Sequence, residues 1–477
     1  MKQFAKKFIG DKAFYKMVLL IVIPIIIQNG ITNFVSLLDN IMVGRIGTEQ
    51  MSGVAIANQL MFVFNITIFG AISGASIFGA QFFGLGDYDG VRHAFRFKLI
   101  LSVAITLLAI GIFMVWGEQL ILYYLHEQDS ALSIEATLEY GRKYLNVMLV
   151  GLLPYAISQS YASTLRDCGE TALPMKAGIA AVLVNLVLNY ILIFGNFGAP
   201  KLGIEGAAIA TVTSRFVELL IILVVVHRKQ NANEGAVSEK SIAAKAYAPV
   251  FQGAYRSLRI PGSLVKKIIL TGTPLLLNEA LWALGKALMN QCYSVRGLEV
   301  VAAMNISTTI ENLFNVFFIA MGSAIAIVVG QQLGAGHTEE AVDTDRKMIF
   351  FSVVSCLVVG GALIAVAPLI PKIYNTEELV REIATDLIIV SACCMPMNAF
   401  NHASYFTMRS GGKTFITFLF DSVFVWVVNI PLAYALAHYT GLSIVWMYAL
   451  CLGVDVIKCV IGFILIKKRV WVKNIVA

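Results

Sequence analysis

One aspartate, two asparagines and a threonine stand where this sequence is otherwise apolar. Asp39 closes a row of polar residues, Gln28, Thr32, Ser36 and Asp39, whose spacings of four, four and three place them on one helical face. Asn185 and Asn189 are four apart on one face of another apolar segment, and Thr211 follows the small-residue run GAAIA in the next. An ionisable side chain near a bilayer centre costs about 2.5–3.5 kcal/mol on insertion scales, so the Asp39 face is expected to look into a helix bundle and not at lipid. A lone carboxylate among amides and hydroxyls can take up a proton or hold a small cation reversibly. Later in the chain Glu279, Ala283, Lys286 and Asn290 share one face, Glu311 and Asn315 lie in the following segment, and Asp421 stands further on. These residues fit two readings: a second ion or substrate site at Glu279, Lys286, Glu311 and Asp421, or a pairing of Lys286 with Glu279 or Glu311 that only neutralises charge. Arg215 with Glu218, and Asp455 with Lys458, are three apart and opposite in sign, which suits local pairing.

Such groups need a bilayer around them to be meaningful, and the composition supplies one. Apolar residues make up 58% of the 477 and charged residues 14%, with a mean hydropathy of +0.78, far from a soluble domain. About 20 apolar residues cross the hydrocarbon core. Twelve spans are expected, at 17–43, 53–83, 97–123, 143–165, 177–195, 204–226, 267–294, 301–332, 348–370, 385–408, 414–437 and 442–466. The fold class is therefore all-α and integral to the membrane. A net charge of +7 is dispersed between these runs and not gathered into a stripe, which argues against a nucleic-acid partner. Lys2, Lys6, Lys7, Lys12, Arg92, Arg96, Lys98, Arg166, Arg409, Lys413, Lys467 and Lys468 are among the cations that fall on one side, and the positive-inside rule makes that side, with both termini, cytoplasmic. The seven cysteines form no CxxC pair, so neither a disulfide nor a zinc site is expected. The sequence carries no GxxxxGK[ST], HExxH or GxSxG, which excludes an ATP-driven pump and the common hydrolases, and no cofactor is expected.

The elements that carry the polar residues come in two copies. Displacing the sequence by 250 residues puts Pro24 on Pro274 and, without a gap, pairs Asn40 with Asn290, Gly47 with Gly297, Phe64 with Phe314, Gln81 with Gln331 and Gly84 with Gly334. At an offset of 243, LRDCGET ending in Thr171 falls on MRSGGKT ending in Thr414. Six spans per copy is an even number, so the second copy starts on the same side as the first, a parallel repeat about an axis along the membrane normal. The domains expected are an N-lobe at 1–226, a cytoplasmic linker at 227–266 and a C-lobe at 267–477. Pro24, Pro154, Pro274 and Pro396 each remove a backbone donor within or beside a span and permit a bend. Pro24 shares its helix with Asp39.

Four segments, LLDNIMVGRIG after the first span, GAQFFGLGD after the second, SGGKT after the tenth and PLLLNEALWALG opening the second half, together resemble the multidrug and toxic compound extrusion (MATE) family over essentially the whole chain. The similarity is nearest to its DinF-like bacterial branch. The resemblance implies a V-shaped pair of six-helix lobes in the bacterial inner membrane, a monomer that exports small organic, cationic amphipathic compounds by alternating access, driven by a proton or sodium gradient. Asp39, Asn185, Asn189 and Thr211 then correspond to the family's N-lobe cation site, with Asp39 the metal ligand if the ion is sodium. Other members carry a second Asp where this chain has Asn189, and that departure favours a proton. Glu279 matches an acidic position that other members use in the seventh span. The loop GLGDYDGVRHAFR does not fit the major facilitator pattern GxxxDRxGRR. Two alternatives remain: a flippase for lipid-linked substrates, which would call for a strongly basic cavity, and a non-transporting scaffold, which would not need Asp39.

Overall fold

A computed structural model describes residues 7–124, 133–228, 242–374 and 376–477 of the chain. Lys2, Lys6 and linker residues 229–241 lie outside the described residues. Regular structure among the described residues is helical throughout. In chain order the helices are α1 Lys12–Gly44, α2 Thr48–Leu85, α3 Tyr88–Tyr124, α4 Ile134–Val150, α5 Leu152–Asp167, α6 Ala172–Phe194, α7 Gly203–Arg228, α8 Ile242–Phe251, α9 Gly262–Ser294, α10 Leu298–Gly334, α11 Thr338–Val366 and α12 Glu378–Ser410. Two further spans close the chain, α13 Thr414–Tyr439 and α14 Ile444–Lys467. Eleven helices among the described residues are long and apolar enough to cross a membrane. At 33 residues, α1 is about 50 Å long, more than the roughly 30 Å hydrocarbon core. On α3, Leu107, Leu108, Met114 and Trp116 are exposed, the expected state of side chains that face lipid tails instead of water.

The expected fourth span is the one missing from these eleven. It divides into α4 and α5 at Gly151. There the Gly151 N–H turns to the Met148 carbonyl at 3.0 Å, and Pro154, three residues on, has no N–H with which to continue the ladder.

The repeat is written into the helix boundaries. α1 and α9 start and end 250 residues apart, and α2 with α10, and α3 with α11, also start 250 residues apart. Left-handed glycines recur in the same registers: Gly86 and Gly336 both at φ 80°, Gly169 at 80° and Gly412 at 73°. The last two explain the CGET and GGKT motifs. Each glycine closes a helix C-terminus, with Glu170 N donating to Leu165 O at 2.9 Å and Lys413 N donating to Met408 O at 3.1 Å, and the next helix starts two or three residues on.

Two compact units make up the chain. One comprises Met1–Ile26, Ala80–Gly86 and Ile269–Ala477, the other Ile27–Gly79 and Asp87–Ile268. α1 changes unit between Ile26 and Ile27, just past Pro24. In the first unit, Gly84 and Gly334 let two helix ends touch, since a Cβ on Gly84 would stand 1.8 Å from the Gln331 carbonyl and one on Gly334 1.9 Å from that of Gln81. The Gln81 side chain then binds the chain's last segment, donating to Lys473 O at 3.1 Å and accepting from Ile475 N at 2.8 Å.

The linker holds structure that its polar composition did not suggest. α8 lies within 227–266 and buries Tyr247, Val250 and Phe251. Two arginines of α3 hold this end of the linker: Arg92 donates to the helix carbonyls Val250 O at 3.1 Å and Pro249 O at 2.6 Å, and Arg96 to Ala254 O, just past the helix, at 2.7 Å. Cations at a helix C-terminus meet both its unpaired carbonyls and the negative end of its dipole. Arg92 and Arg96 thus fasten the linker in addition to any topological role.

Candidate functional site

In the Ile27–Gly79/Asp87–Ile268 unit, α1, α6 and α7 bring Asp39, Asn185, Asn189 and Thr211 together as one network. Asn189 Nδ2 donates to Asp39 Oδ1 at 2.5 Å. The asparagine spacing of four puts both amides on the α6 face that meets α1, where Asn185 is 5% exposed and Asn189 1%. Asn185 can sit in two ways. In one, its oxygen accepts from Asn189 at 3.2 Å and its nitrogen donates to Thr211 Oγ1 at 3.2 Å. With the amide turned over, the nitrogen donates to both Asp39 oxygens, at 3.1 and 3.2 Å, and the oxygen accepts from Thr211. The amide of an asparagine is oriented by its partners, and beside an ionised Asp39 the second orientation satisfies both ends of the side chain.

Only part of the polar row on α1 serves this site. Gln28 reaches α6, its Nε2 lying 3.3 Å from where a Cβ on Gly178 would stand. Thr32 and Ser36 are exposed and donate to their own backbone, to Gln28 O at 2.8 Å and Thr32 O at 3.0 Å. The face does not turn wholly inward as expected, because a hydroxyl can satisfy itself on the preceding turn without a neighbouring helix.

One residue beside the network, Tyr144, was not singled out in the sequence. Tyr144 of α4, 5% exposed, donates to Asn58 Oδ1 at 3.3 Å and lies within electrostatic reach of Asp39. Arg215 does not pair with Glu218 at ion-pair distance. It donates to Gly151 O at 3.3 Å, a carbonyl at the break between α4 and α5, and stacks over the Tyr155 ring at 5.0 Å. The expected local Arg215–Glu218 pair is thus replaced by contacts across helices. Deeper toward the end of α5, Lys98 and Asp167 form an ion pair at 2.5 Å with side chains 0% and 6% exposed, and Lys98 also donates to Ser163 at 2.9 Å. A Cβ on Gly79 would come within 2.4 Å of Asp167 Oδ2, so that glycine makes room for the pair.

In the other unit Glu279, Lys286, Glu311 and Asp421 do not form one site. Lys286 is exposed, and among the described residues no ion pair joins it to Glu279 or Glu311. Asp421 is drawn into a network of its own. Asn278 donates to it at 3.0 Å, and Lys458 stands 3.7 Å from both Asp421 and Asp455. The Asp455–Lys458 pair expected on α14 is present, with Asp421 as an added partner. α13 widens into π-turns over Leu419–Val423 and Val425–Asn429. The cause is local: Ser422 N donates to the Asn278 side chain at 3.2 Å, and a backbone donor diverted in this way loosens the regular ladder. Glu279 lies within electrostatic reach of Arg409 and Asp421. Glu311 stands apart in a cage of hydroxyls from Ser307, Ser391 and Tyr448.

Comparison with known proteins agrees with this arrangement of paired spans. The chain is 24% identical over 439 residues to a "Probable multidrug resistance protein NorM" of Thermotoga maritima, covering 90% of this chain and 87% of that one. It is 23% identical over 437 residues to "Probable multidrug resistance protein YoeA" of Bacillus subtilis, covering 90% and 88%. Among solved structures it resembles a MATE "in the bent conformation" with a TM-score of 0.80 at 19% identity, over 96% of each chain. A multidrug resistance MATE family transporter of the MOP superfamily in the outward-facing conformation gives 0.78 at 18% identity, over 98% of this chain and 97% of that one. The MatE family model matches residues 24–191 and 274–435, one stretch in each sequence repeat and together more than half of the chain, so this multi-pass membrane protein belongs to the MATE family of transporters.

Proposed function

We propose that the chain is a proton-coupled antiporter that expels small organic, cationic amphipathic compounds across the bacterial inner membrane, with both termini in the cytoplasm. Alternating access between lobes at 1–226 and 267–477, joined by the linker at 227–266, would carry it. The observation that bears most weight is the Asp39 cluster. Two buried amides and a threonine surround a carboxyl group with no basic residue at ion-pair distance among the described residues. Family membership and relatives named for multidrug resistance support export of organic compounds.

The chemistry at the cluster follows from hydrogen-bond donors and acceptors. When Asp39 is ionised, Asn185 turns its N–H groups to the carboxylate and Thr211 donates to the Asn185 oxygen. When Asp39 takes a proton, its O–H needs an acceptor and the Asn185 oxygen turns to meet it. Thr211 is then free to donate to Ala207 O, at 3.0 Å. One proton therefore rearranges contacts among α1, α6 and α7. Pro24, near where α1 passes between the units, gives that helix a place to bend in response. A cationic substrate favours ionised Asp39, so proton and drug compete, the thermodynamic requirement for exchange.

Sodium is the second reading, and one observation favours it. Asn189 Oδ1 is buried and accepts no hydrogen bond among the described residues, leaving an oxygen that a cation could use. Against it, the amides present N–H groups to the carboxylate, and sodium requires oxygens there.

Efflux of a cationic dye from cells expressing the protein tests the antiporter assignment. An ionophore should abolish it, and it should survive ATP depletion while an ion gradient is imposed. Dye export that persists with no ion gradient contradicts it.

A further inference from the structure

After α14 the chain turns at Arg469, whose φ of 54° is left-handed and uncommon for a residue with a side chain. Arg469 also binds Glu339 of α11 through both terminal nitrogens, at 2.5 and 3.1 Å. Residues 470–477 then lie back on the same unit. Trp471 is 1% exposed, and its carbonyl comes so near the α12–α13 turn that a Cβ on Gly411 would stand 1.7 Å from it. Ile475 covers Gly412, where a Cβ would meet its side chain at 3.2 Å. A buried indole ring anchors the segment by its apolar area, so 470–477 is a seated part of the unit and not a loose extension.

What the segment holds is the end of α2. Gln81 is 0% exposed, and its amide is satisfied from two sides: Nε2 donates to Ser410 O at 2.9 Å and Lys473 O at 3.1 Å, and Oε1 accepts from Ile475 N at 2.8 Å. Asn474 donates to Gly334 O, at the end of α10, at 3.1 Å. α2 belongs to the first sequence repeat, whereas α10, the α12–α13 turn and residues 470–477 belong to the second. The ends of α2 and α10 meet at Gly84 and Gly334, where neither backbone leaves room for a Cβ. Residues 470–477 therefore clamp α2 to the second repeat beside that close approach, on the side that the proposed topology makes cytoplasmic.

We propose that Gln81 and residues 470–477 form a latch that keeps the cytoplasmic side closed, and that opening this side to take up substrate requires the segment to leave Gln81. The inference rests on the reading that the lobes alternate in access, and not on which ion drives them. Two glycine-bearing helix ends offer each other no interlocking side chains at Gly84 and Gly334, so the hydrogen bonds of Gln81 and Asn474 set how often the ends part. Losing both bonds donated by Gln81 raises the parted fraction about tenfold. A substrate that enters only the parted state then binds more tightly in appearance by the same factor, as long as that state is the minor one.

Hydrogen–deuterium exchange of the full-length protein in lipid nanodiscs, with neither dye nor ion gradient, tests the latch. Gly411→Ala suits a residue at φ −89° but leaves no room for the Trp471 carbonyl, so it must lift the segment. Exchange should then rise about tenfold at 80–86 and 330–336 as well as at 470–477. Faster exchange confined to 470–477 and the α12–α13 turn makes the segment a cap on that turn and overturns the inference, as does unchanged exchange throughout. Should Gly411→Ala fail to fold, Gln81→Met serves instead, since it keeps the length of the side chain and gives up all three hydrogen bonds. It should show the same exchange pattern, and in proteoliposomes it should lower the KM for a cationic dye supplied on the cytoplasmic face about tenfold. An unchanged or higher KM overturns the latch. If the unaltered protein moves no dye at all, the proposed function fails and exchange alone decides the latch.

Discussion

Asp39→Asn is expected to yield a protein that inserts and folds like the unaltered chain but whose efflux no longer responds to a pH gradient, falling to the level of protein-free liposomes. The substitution fixes the donor and acceptor pattern of the protonated carboxyl: an amide N–H now stands where the acid O–H would be, and no proton can leave. Asn189 and Asn185 retain partners, so the cost in stability is small. The paired measurements are thermal unfolding in detergent and dye efflux from proteoliposomes under an imposed pH step. If the variant kept full gradient-dependent efflux, Asp39 would be structural and coupling would fall to the other unit.

Lys98→Met should have the largest effect on folding of any single substitution considered. It leaves Asp167 buried beside Gly79 with its ion-pair partner gone. Breaking a buried pair in this way costs about 3–5 kcal/mol, because the remaining carboxylate loses the cation that compensates its burial. Adding Asp167→Asn removes that charge and should restore most of the loss, since Asn can still use the Ser76 hydroxyl. The unfolding midpoints of the two variants decide the matter. If the double variant were as unstable as the single one, the lysine would matter for packing and not for its charge.

What the sequence disclosed depended on whether the signal was local. Apolar runs located eleven of the twelve expected spans as long apolar helices among the described residues, and the offset of 250 residues anticipated the matching starts of α1 and α9 because the two copies share their helix boundaries. The Asp39 group was legible for the same reason: a lone carboxylate in an apolar run is conspicuous, and two asparagines four apart define a face without knowledge of the neighbours. Pairings between helices were not legible. Lys98 looked like a topological cation at the head of a span, yet its partner lies 69 residues away on α5. Lys286 shared a face with Glu279 but forms no ion pair with it among the described residues, and Glu311 found its partners 80 and 137 residues on. Those outcomes depend on how each helix is rotated about its axis, which a pattern with a 3.6-residue period leaves undetermined among several polar positions. The linker helix escaped for a different reason. Its run IAAKAYAPVF is short and contains Pro249, and what holds it is a pair of arginines more than 150 residues earlier.

Proteoliposomes holding the purified protein, loaded with a cationic dye and given either a pH gradient without sodium or a sodium gradient at equal pH on both faces, test the proton claim most directly. Dye movement against its gradient is expected with the pH step alone and none with sodium alone. Full transport driven by sodium at constant pH, with no response to the pH step, would contradict it and transfer the Asp39 cluster, with the unpartnered Asn189 oxygen, to a sodium ion.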